Sequence, residues 1–275
     1  MAPHLDLLDL ASAASARAGD YLRNIARPVG PAAWGRKGRA DFVTEIDRTA
    51  EEMIRDVLLR GEPGSTVVGE ELSPEVVTRG LVWIVDPLDG TTNFLHGVPA
   101  YAVSIAAAID GELVVGVVLE VPSGRMFRGT LGGGAWLGEQ RLEVSTITTP
   151  ADALIGTGFP YNDFTTLDEY LGQLRRVTEA TSGVRRPGAA ALDLAAVASG
   201  AFDGFWEQRL SAWDIAAGIV LVREAGGIIT DYAGRDLGVE HASVVAGNPV
   251  IHRWLLDSLP PDVQANPAIL RSGPK

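Results

Sequence analysis

Asp86 and Asp89 stand three residues apart at the end of an apolar run, Val82–Val85, with Pro87 between them. Gly90, Thr91 and Thr92 follow at once. Two carboxylates beside hydroxyls supply the oxygen-only ligands that Mg²⁺ prefers. Gly90 lets backbone N–H groups approach a phosphate, and a helix starting nearby adds its positive end. The same residues also satisfy a plainer description: a buried strand, a tight turn and a helix N-cap.

The elements around this motif are those needed to hold it. Leu5, Leu8, Ala11, Ala14, Ala18, Leu22 and Ile25 recur at helical spacing, so residues 5–26 are expected to form an amphipathic helix that ends before Pro28, Gly30 and Pro31. A second helix is expected from Glu45 to Arg60, then a short strand, Ser65–Val68, running into Gly69, Glu70 and Glu71. Downstream, Tyr101–Ile109, Leu113–Leu119 and Arg125–Thr130 read as strands, with Asp110-Gly111 as a hairpin turn rather than a chemical site. Further strands are expected at Ala153–Gly158, Gly204–Glu207, Gly227–Asp231 and Ser243–Gly247. Helices are expected at Leu167–Thr181, Ala191–Ser199 and Asp214–Ala225. Mixed elements with strong antiparallel signals point to an α+β layered fold rather than a dinucleotide-binding array. Thr146–Pro150 is the expected seam, giving an N-terminal half over 1–145 with the acidic site, a C-terminal half over 146–260 completing it, and a loose tail over 261–275.

Composition excludes several chemistries. The 275 residues include no cysteine, which rules out disulfides, thiolate zinc sites and thiol nucleophiles, and fits a reducing compartment. The N-terminus is interrupted by Asp6, Asp9, Arg17 and Asp20, unlike a signal peptide, and no long uncharged apolar stretch suits a membrane span. A cytoplasmic protein is expected. A formal net charge of −12, from 23 basic and 35 acidic residues, argues against nucleic acid as a partner. The densest basic clusters, Arg36-Lys37 with Arg39 and Arg185-Arg186, lack interleaved aromatics.

Other acidic positions each have a plain structural use. Glu70 and Glu71 suit a solvated loop, while Asp41, Asp47 and Asp214 suit helix caps. Their order along the chain changes the reading: D-x-V-T-x-x-D from Asp41, then G-E-E, then D-P-L-D-G-T-T-N, then W-E-x-x-L-x-x-W-D ending at Asp214. This set, with W-D-x-A-A-G, resembles the inositol monophosphatase family of Mg²⁺-dependent, lithium-sensitive sugar and polyol phosphatases, over roughly residues 5–258.

The resemblance implies the αβαβα sandwich shared with fructose-1,6-bisphosphatase, and a homodimer. It implies a first Mg²⁺ on Glu70, Asp86, the Leu88 carbonyl and the Thr91 hydroxyl, a second on Asp86, Asp89 and Asp214, and often a third through Glu70 and water. Asp47 and Thr91 would together orient and help deprotonate the attacking water, with Glu70 among the catalytic residues. Backbone N–H groups of Gly90 and Thr91 would cradle phosphate, Asp89 and Asp214 would also contact substrate, Glu207 would bind substrate hydroxyls, Ala190 would line the pocket, and Lys37 would stand near the metals. Two features depart from the family pattern: Ala189 replaces a common Ser or Thr, and Arg36, Gly38 and Arg39 make their loop unusually basic.

Competing chemistries fit poorly. Asp86 and Asp89 are not the D-x-D of haloacid-type phosphatases, and C-x₅-R is impossible without cysteine. His4, His96, His241 and His252 make no paired metal motif, though His96 lies just after the site. Gly30–Arg36 approaches a Walker spacing without G-K-[ST], and Gly156-Thr157-Gly158 is a lone G-x-G with Tyr161 where a third glycine would be needed. The substrate within the family is left open among inositol 1-phosphate, histidinol phosphate, fructose 1,6-bisphosphate and a 3′-phosphonucleotide, with W-E-x-x-L-x-x-W-D leaning toward the first two. A regulatory binding partner, as in family members that associate with RNA polymerase components, is the alternative of another class. An inert scaffold is the third, against which the intact acidic set stands.

Overall fold

In a computed structural model of the chain, the structure describes residues 4–26, 35–36, 42–43, 45–73, 75–160, 164–240 and 242–259, with 35–36 and 42–43 as backbone. Lys37, Gly38, Arg39, Asp41, Thr44, Tyr161, His241 and the expected tail 261–275 lie outside the described residues.

In chain order the elements are α1 (Leu5–Asn24), β1 (Gly35–Arg36), β2 (Phe42–Val43), α2 (Glu45–Gly61), β3 (Thr66–Gly69), β4 (Leu81–Asp89), α3 (Thr91–His96), β5 (Ala102–Ile109), β6 (Glu112–Glu120), β7 (Arg125–Thr130), β8 (Gly134–Leu137) and β9 (Gln140–Arg141). There follow β10 (Leu154–Thr157), α4 (Leu167–Ala180), β11 (Gly183–Arg185), α5 (Ala190–Ala198), β12 (Gly204–Leu210), α6 (Ala212–Glu224), β13 (Ile228–Thr230), β14 (Ala242–Gly247) and α7 (Pro249–Ser258).

A seven-stranded sheet runs β3-β4-β5-β6-β7-β8-β9, antiparallel throughout except for the parallel β3–β4 pair. A five-stranded sheet has the order β11-β10-β12-β14-β13. Helices α1 and α2 bury Leu8, Ala11, Leu22, Ile54 and Leu58 on one face of the larger sheet. Helices α5 and α6 fill the space between the two sheets, and α4 and α7 cover the far face of the smaller one. The layers are therefore α, β, α, β, α, the sandwich that the resemblance implies.

This layering explains the apolar pattern. β4 is covered on both faces, so Val82–Val85 reads as a continuous run rather than an alternation. Trp83 and Val85 face α1 and α2, whereas Val82 and Ile84 face α5 and α6. α6 is apolar nearly all round because it is sandwiched, with every residue from Ile215 to Val222 buried.

Several boundaries differ from expectation. The strand expected to stop near Val85 continues to Asp89, because Pro87 falls where the β4–β5 register slips between Asp86 and Asp89 and no ladder N–H is needed. α1 stops at Asn24, before the expected residue 26. α6 starts at Ala212, with Ser211 as N-cap and Asp214 inside the first turn. β8, β9, β11 and α7 were not foreseen; three of the four are only two to four residues long, and α7 is announced by its cap, Asn248 before Pro249. At the expected hairpin turn, Asp110 and Gly111 both have positive φ, 50° and 89°, as a type I′ turn requires.

Candidate active site

β4 delivers the central acids by parity. Asp86 shares a face with Val82 and Ile84, the face under α6, and the first turn of α6 carries Asp214. Ser104, the β5 partner of Asp86, donates its hydroxyl to the Trp213 carbonyl at 3.2 Å and so ties the start of α6 to the sheet. The bulge then advances the chain to Asp89 and Leu88, and Gly90, at φ 87°, turns it into α3.

Each of these carboxylates is held by a backbone N–H. Leu88 N donates to Asp86 Oδ1 at 2.9 Å, Ala191 N to Asp89 Oδ2 at 2.8 Å, and Ser211 N to Asp214 Oδ2 at 2.7 Å, the last completing a capping box. Thr91 Oγ1 lies 3.0 Å from Asp47 Oδ1 and 3.0 Å from the Leu88 carbonyl, so its single proton is shared between a carboxylate on α2 and the end of β4. Glu70 follows β3, and its N–H donates to the Val85 carbonyl at 3.2 Å, one residue before Asp86.

The electrostatics are those of buried carboxyls packed against one another. Burial, then the charges of Glu70, Asp89 and Asp214, push the Asp86 carboxyl well above its ordinary value. Asp214 is raised likewise by burial, Asp89 and Glu70. Asp89 is raised to about 6 by burial, against the pull of the Ala191 and Ala190 N–H groups and Arg186. The acids feel one another, yet among the described residues no three acidic or histidine side chains are drawn into a ready-made cage for an ion. Oxygen donors alone from Glu70, Asp86, Leu88, Asp89, Thr91 and Asp214 fit a hard divalent cation rather than a soft metal.

Beside this cluster lies a second group. Glu207, on β12, is raised to about 8 chiefly by burial, with Asp89 raising and Arg186 lowering it. Gly158, past the end of β10, packs so closely on it that an added Cβ would sit 1.9 Å from the Glu207 carboxyl. Ala189 and Ala190 are buried at the start of α5, next to the Asp89–Ala191 hydrogen bond.

The sequence reading missed four residues here. Arg186, counted only as part of a basic cluster, is the cation that opposes Asp89, Asp193 and Glu207, and it stacks over Phe159 at 5.2 Å. Asp193, one turn into α5, is buried and raised well above its ordinary value by burial and then by Glu207 and Asp89. Asn93 donates from Nδ2 to the carbonyls of Ala100 and Pro187 at 2.7 and 2.9 Å, clamping the α3 region to the segment before α5. Glu51 on α2 is fully buried. The one cue in the sequence was Asp193, a charged residue inside an otherwise apolar helix; Glu51 sits among other charged residues of α2 and carries no such mark. His96, by contrast, is exposed at the end of α3.

Comparison with known proteins agrees with this geometry. Residues 5–264 match the inositol monophosphatase family. The inositol-1-monophosphatase of Rhizobium meliloti (strain 1021) is 47% identical over 220 residues, 80% of this chain and 83% of that protein. The Nus factor SuhB of Pseudomonas aeruginosa is 41% identical over 260 residues, 93% of this chain and 96% of that protein. Among solved structures, inositol monophosphatase from Anabaena (Nostoc) sp. PCC 7120 superposes with a TM-score of 0.82 at 35% identity, covering 93% of this chain and 97% of that one. The extragenic suppressor protein suhB from Bartonella henselae gives 0.84 at 39% identity, covering 94% and 99%. With the family pattern spanning the acidic cluster and both sheets, the chain belongs to the inositol monophosphatase family and is a phosphoric monoester hydrolase.

Proposed function

We propose that the chain hydrolyses a small polyol phosphate, inositol 1-phosphate foremost, and that it does so with two or three Mg²⁺ ions. The observation that carries the substrate class is Glu207: a half-buried carboxyl on β12, opposed by Arg186, beside the acids that suit metal. Such a group suits hydroxyls that need a fixed hydrogen-bond partner.

Glu70, Asp86, the Leu88 carbonyl and Thr91 would hold one ion, Asp86, Asp89 and Asp214 a second, and Glu70 a third through water. Bound there, Mg²⁺ supplies charge neutralisation and lowers the pKa of water. The Thr91 hydroxyl is held by Asp47, so its oxygen is fixed to accept a proton from the attacking water and pass its own to the carboxylate. N–H groups of Gly90 and Thr91, at the start of α3, bind the phosphate oxygens. Ala190 walls the pocket, and Glu207 orients the sugar or polyol ring so that its ester oxygen faces away from the attacking water. Arg186 keeps Glu207 and Asp89 from carrying their charge unopposed.

Phosphate release from inositol 1-phosphate, histidinol phosphate, fructose 1,6-bisphosphate and 3′-phosphoadenosine 5′-phosphate, each with and without Mg²⁺, tests this reading. A Mg²⁺-dependent preference for inositol 1-phosphate is expected, and a preference for another member of the panel replaces the substrate while keeping the chemistry. The homodimer implied by resemblance is checked by light scattering on the eluting protein.

A second reading rests on the relatives that carry the name Nus factor SuhB, 41% identical over nearly the whole chain. It holds that the chain also acts by binding to the transcription machinery. An Asp89→Asn variant that has lost turnover yet complements a deletion strain supports it, and failure of that complementation removes it.

A further inference from the structure

Helix α2 carries two buried acids one turn apart, Asp47 and Glu51, exposed by 1% and 0%. Asp47 reaches Thr91, while no step above uses Glu51. A fully buried carboxylate is expensive, and an apolar residue of similar volume fills a core position at lower cost. Its bonds show what the charge does instead. Oε2 accepts the Glu71 N–H at 2.7 Å and Oε1 the Leu72 N–H at 3.3 Å. Arg55, the next residue on the same helix face, lies 4.0 Å from Glu51 Oε1 and donates to Ser73 Oγ at 2.8 Å and the Val67 carbonyl at 3.2 Å. Gly69 N donates to the Ser73 carbonyl at 3.0 Å and closes the turn. Glu51 and Arg55 thus grip both sides of the segment 69–73, which carries Glu70. Gly69 is part of the fit, because an added Cβ would lie 2.1 Å from Glu51 Oε1.

We propose that Glu51 is a positioning residue for the metal site. It fixes the backbone after Glu70 while Asp47, four residues earlier on the same helix, fixes Thr91. One rigid element therefore sets the separation of the two ligand-bearing turns, which follow the C-terminal ends of the adjacent parallel strands β3 and β4. The inference rests on the reading of Glu70 as a metal ligand. Glu51→Gln keeps the shape but sets an NH₂ group against one of the two N–H donors and removes the charge that strengthens both bonds.

The test uses the full chain with Mn²⁺ as the probe, titrated calorimetrically into wild type, Glu51→Gln and Glu70→Gln, alongside amide hydrogen exchange at Glu71 and Leu72 in metal-free protein. The expected result for Glu51→Gln is Mn²⁺ affinity weakened by roughly tenfold or more, the usual scale for groups that orient metal ligands, with faster exchange at both amides. Unchanged affinity in folded Glu51→Gln, with Glu70→Gln impaired, overturns the inference alone. Unchanged affinity in Glu70→Gln overturns the assignment of Glu70 and the inference with it. Should Glu51→Gln fail to fold, Gly69→Ala displaces the same carboxylate from the other side. Unaltered Mn²⁺ affinity there equally overturns the proposal.

Discussion

Asp89 Oδ2 accepts the backbone N–H of Ala191 at 2.8 Å across 102 residues of chain, joining the last residue of β4 to the first turn of α5. A carboxylate at a helix start gains from both the exposed N–H groups and the helix dipole. Burial works against it, and the balance leaves Asp89 at about 6. The bond makes one side chain both a candidate metal ligand and the fastener between the large sheet and the pocket wall.

Replacing Asp89 separates those two jobs. Asp89→Asn retains an oxygen for Ala191 but lacks the charge, so it should fold with little loss of stability and lose turnover by about a thousandfold or more, the scale of a missing electrostatic contact at the reacting group. Asp89→Ala should lose turnover equally and in addition cost about 1–3 kcal/mol in urea unfolding, because the buried N–H is then unpaired. Equal stability of the two variants would show that the Ala191 bond holds nothing together.

Asp86 is shared between two of the proposed ions. Asp86→Asn should therefore abolish phosphate release at every Mg²⁺ concentration while circular dichroism stays native. Turnover recovered by raising Mg²⁺ would refute its placement between two ions. In wild type, Mg²⁺ at a hundred times its dissociation constant should stabilise the fold by about 2.7 kcal/mol, as binding to the native state alone requires. That gain should be absent from Asp86→Asn.

Glu207 makes a prediction about substrate rather than chemistry. Glu207→Gln should impair inositol 1-phosphate by roughly 1–3 kcal/mol in kcat/KM, the cost of one buried hydrogen bond to a charged or polar partner, and leave an aryl phosphate without ring hydroxyls nearly unaffected. Gly158→Ala, whose new methyl meets the Glu207 carboxyl, should reproduce that selectivity. Equal losses on both substrates would make Glu207 a structural residue.

These residues differ in how readable they were. Asp86, Asp89, Gly90 and Thr91 announce themselves because a short segment holds all the types that metal and phosphate chemistry need. The layered fold was legible for a related reason: β4, buried on both faces, and α2, buried on one, leave different hydrophobic periods. Glu51 and Asp193 hid for the opposite reason. An acid on a helix ordinarily faces water, and only packing against β3 or β12 turns it inward. Arg186 and Asn93 act through partners that are distant in sequence; Asn93 reaches Pro187, 94 residues on, and no local pattern encodes that meeting.

His252 offers a pH test remote from the acidic cluster. It is buried on α7, with Nε2 2.9 Å from Thr230 Oγ1, and Thr230 Oγ1 in turn donates to the Asp231 carbonyl at 2.8 Å. Having spent its proton there, the Thr230 hydroxyl accepts from Nε2–H, which assigns the neutral ring its tautomer. Burial, then the neighbouring Arg253 charge, push the imidazole down from 6.5 to about 4. A folded-state value below the unfolded one means that the unfolded chain binds the extra proton first. The stability this histidine contributes is thus present above pH 6.5 and is lost as the pH falls toward 4. Allowing for water reaching the charged ring, the loss should be about 2 kcal/mol. Urea unfolding at steps across that window measures it. His252→Gln, which keeps a donor for Thr230 but does not titrate, should flatten this part of the profile relative to wild type, while an unchanged slope would assign the acid sensitivity to the carboxylates instead.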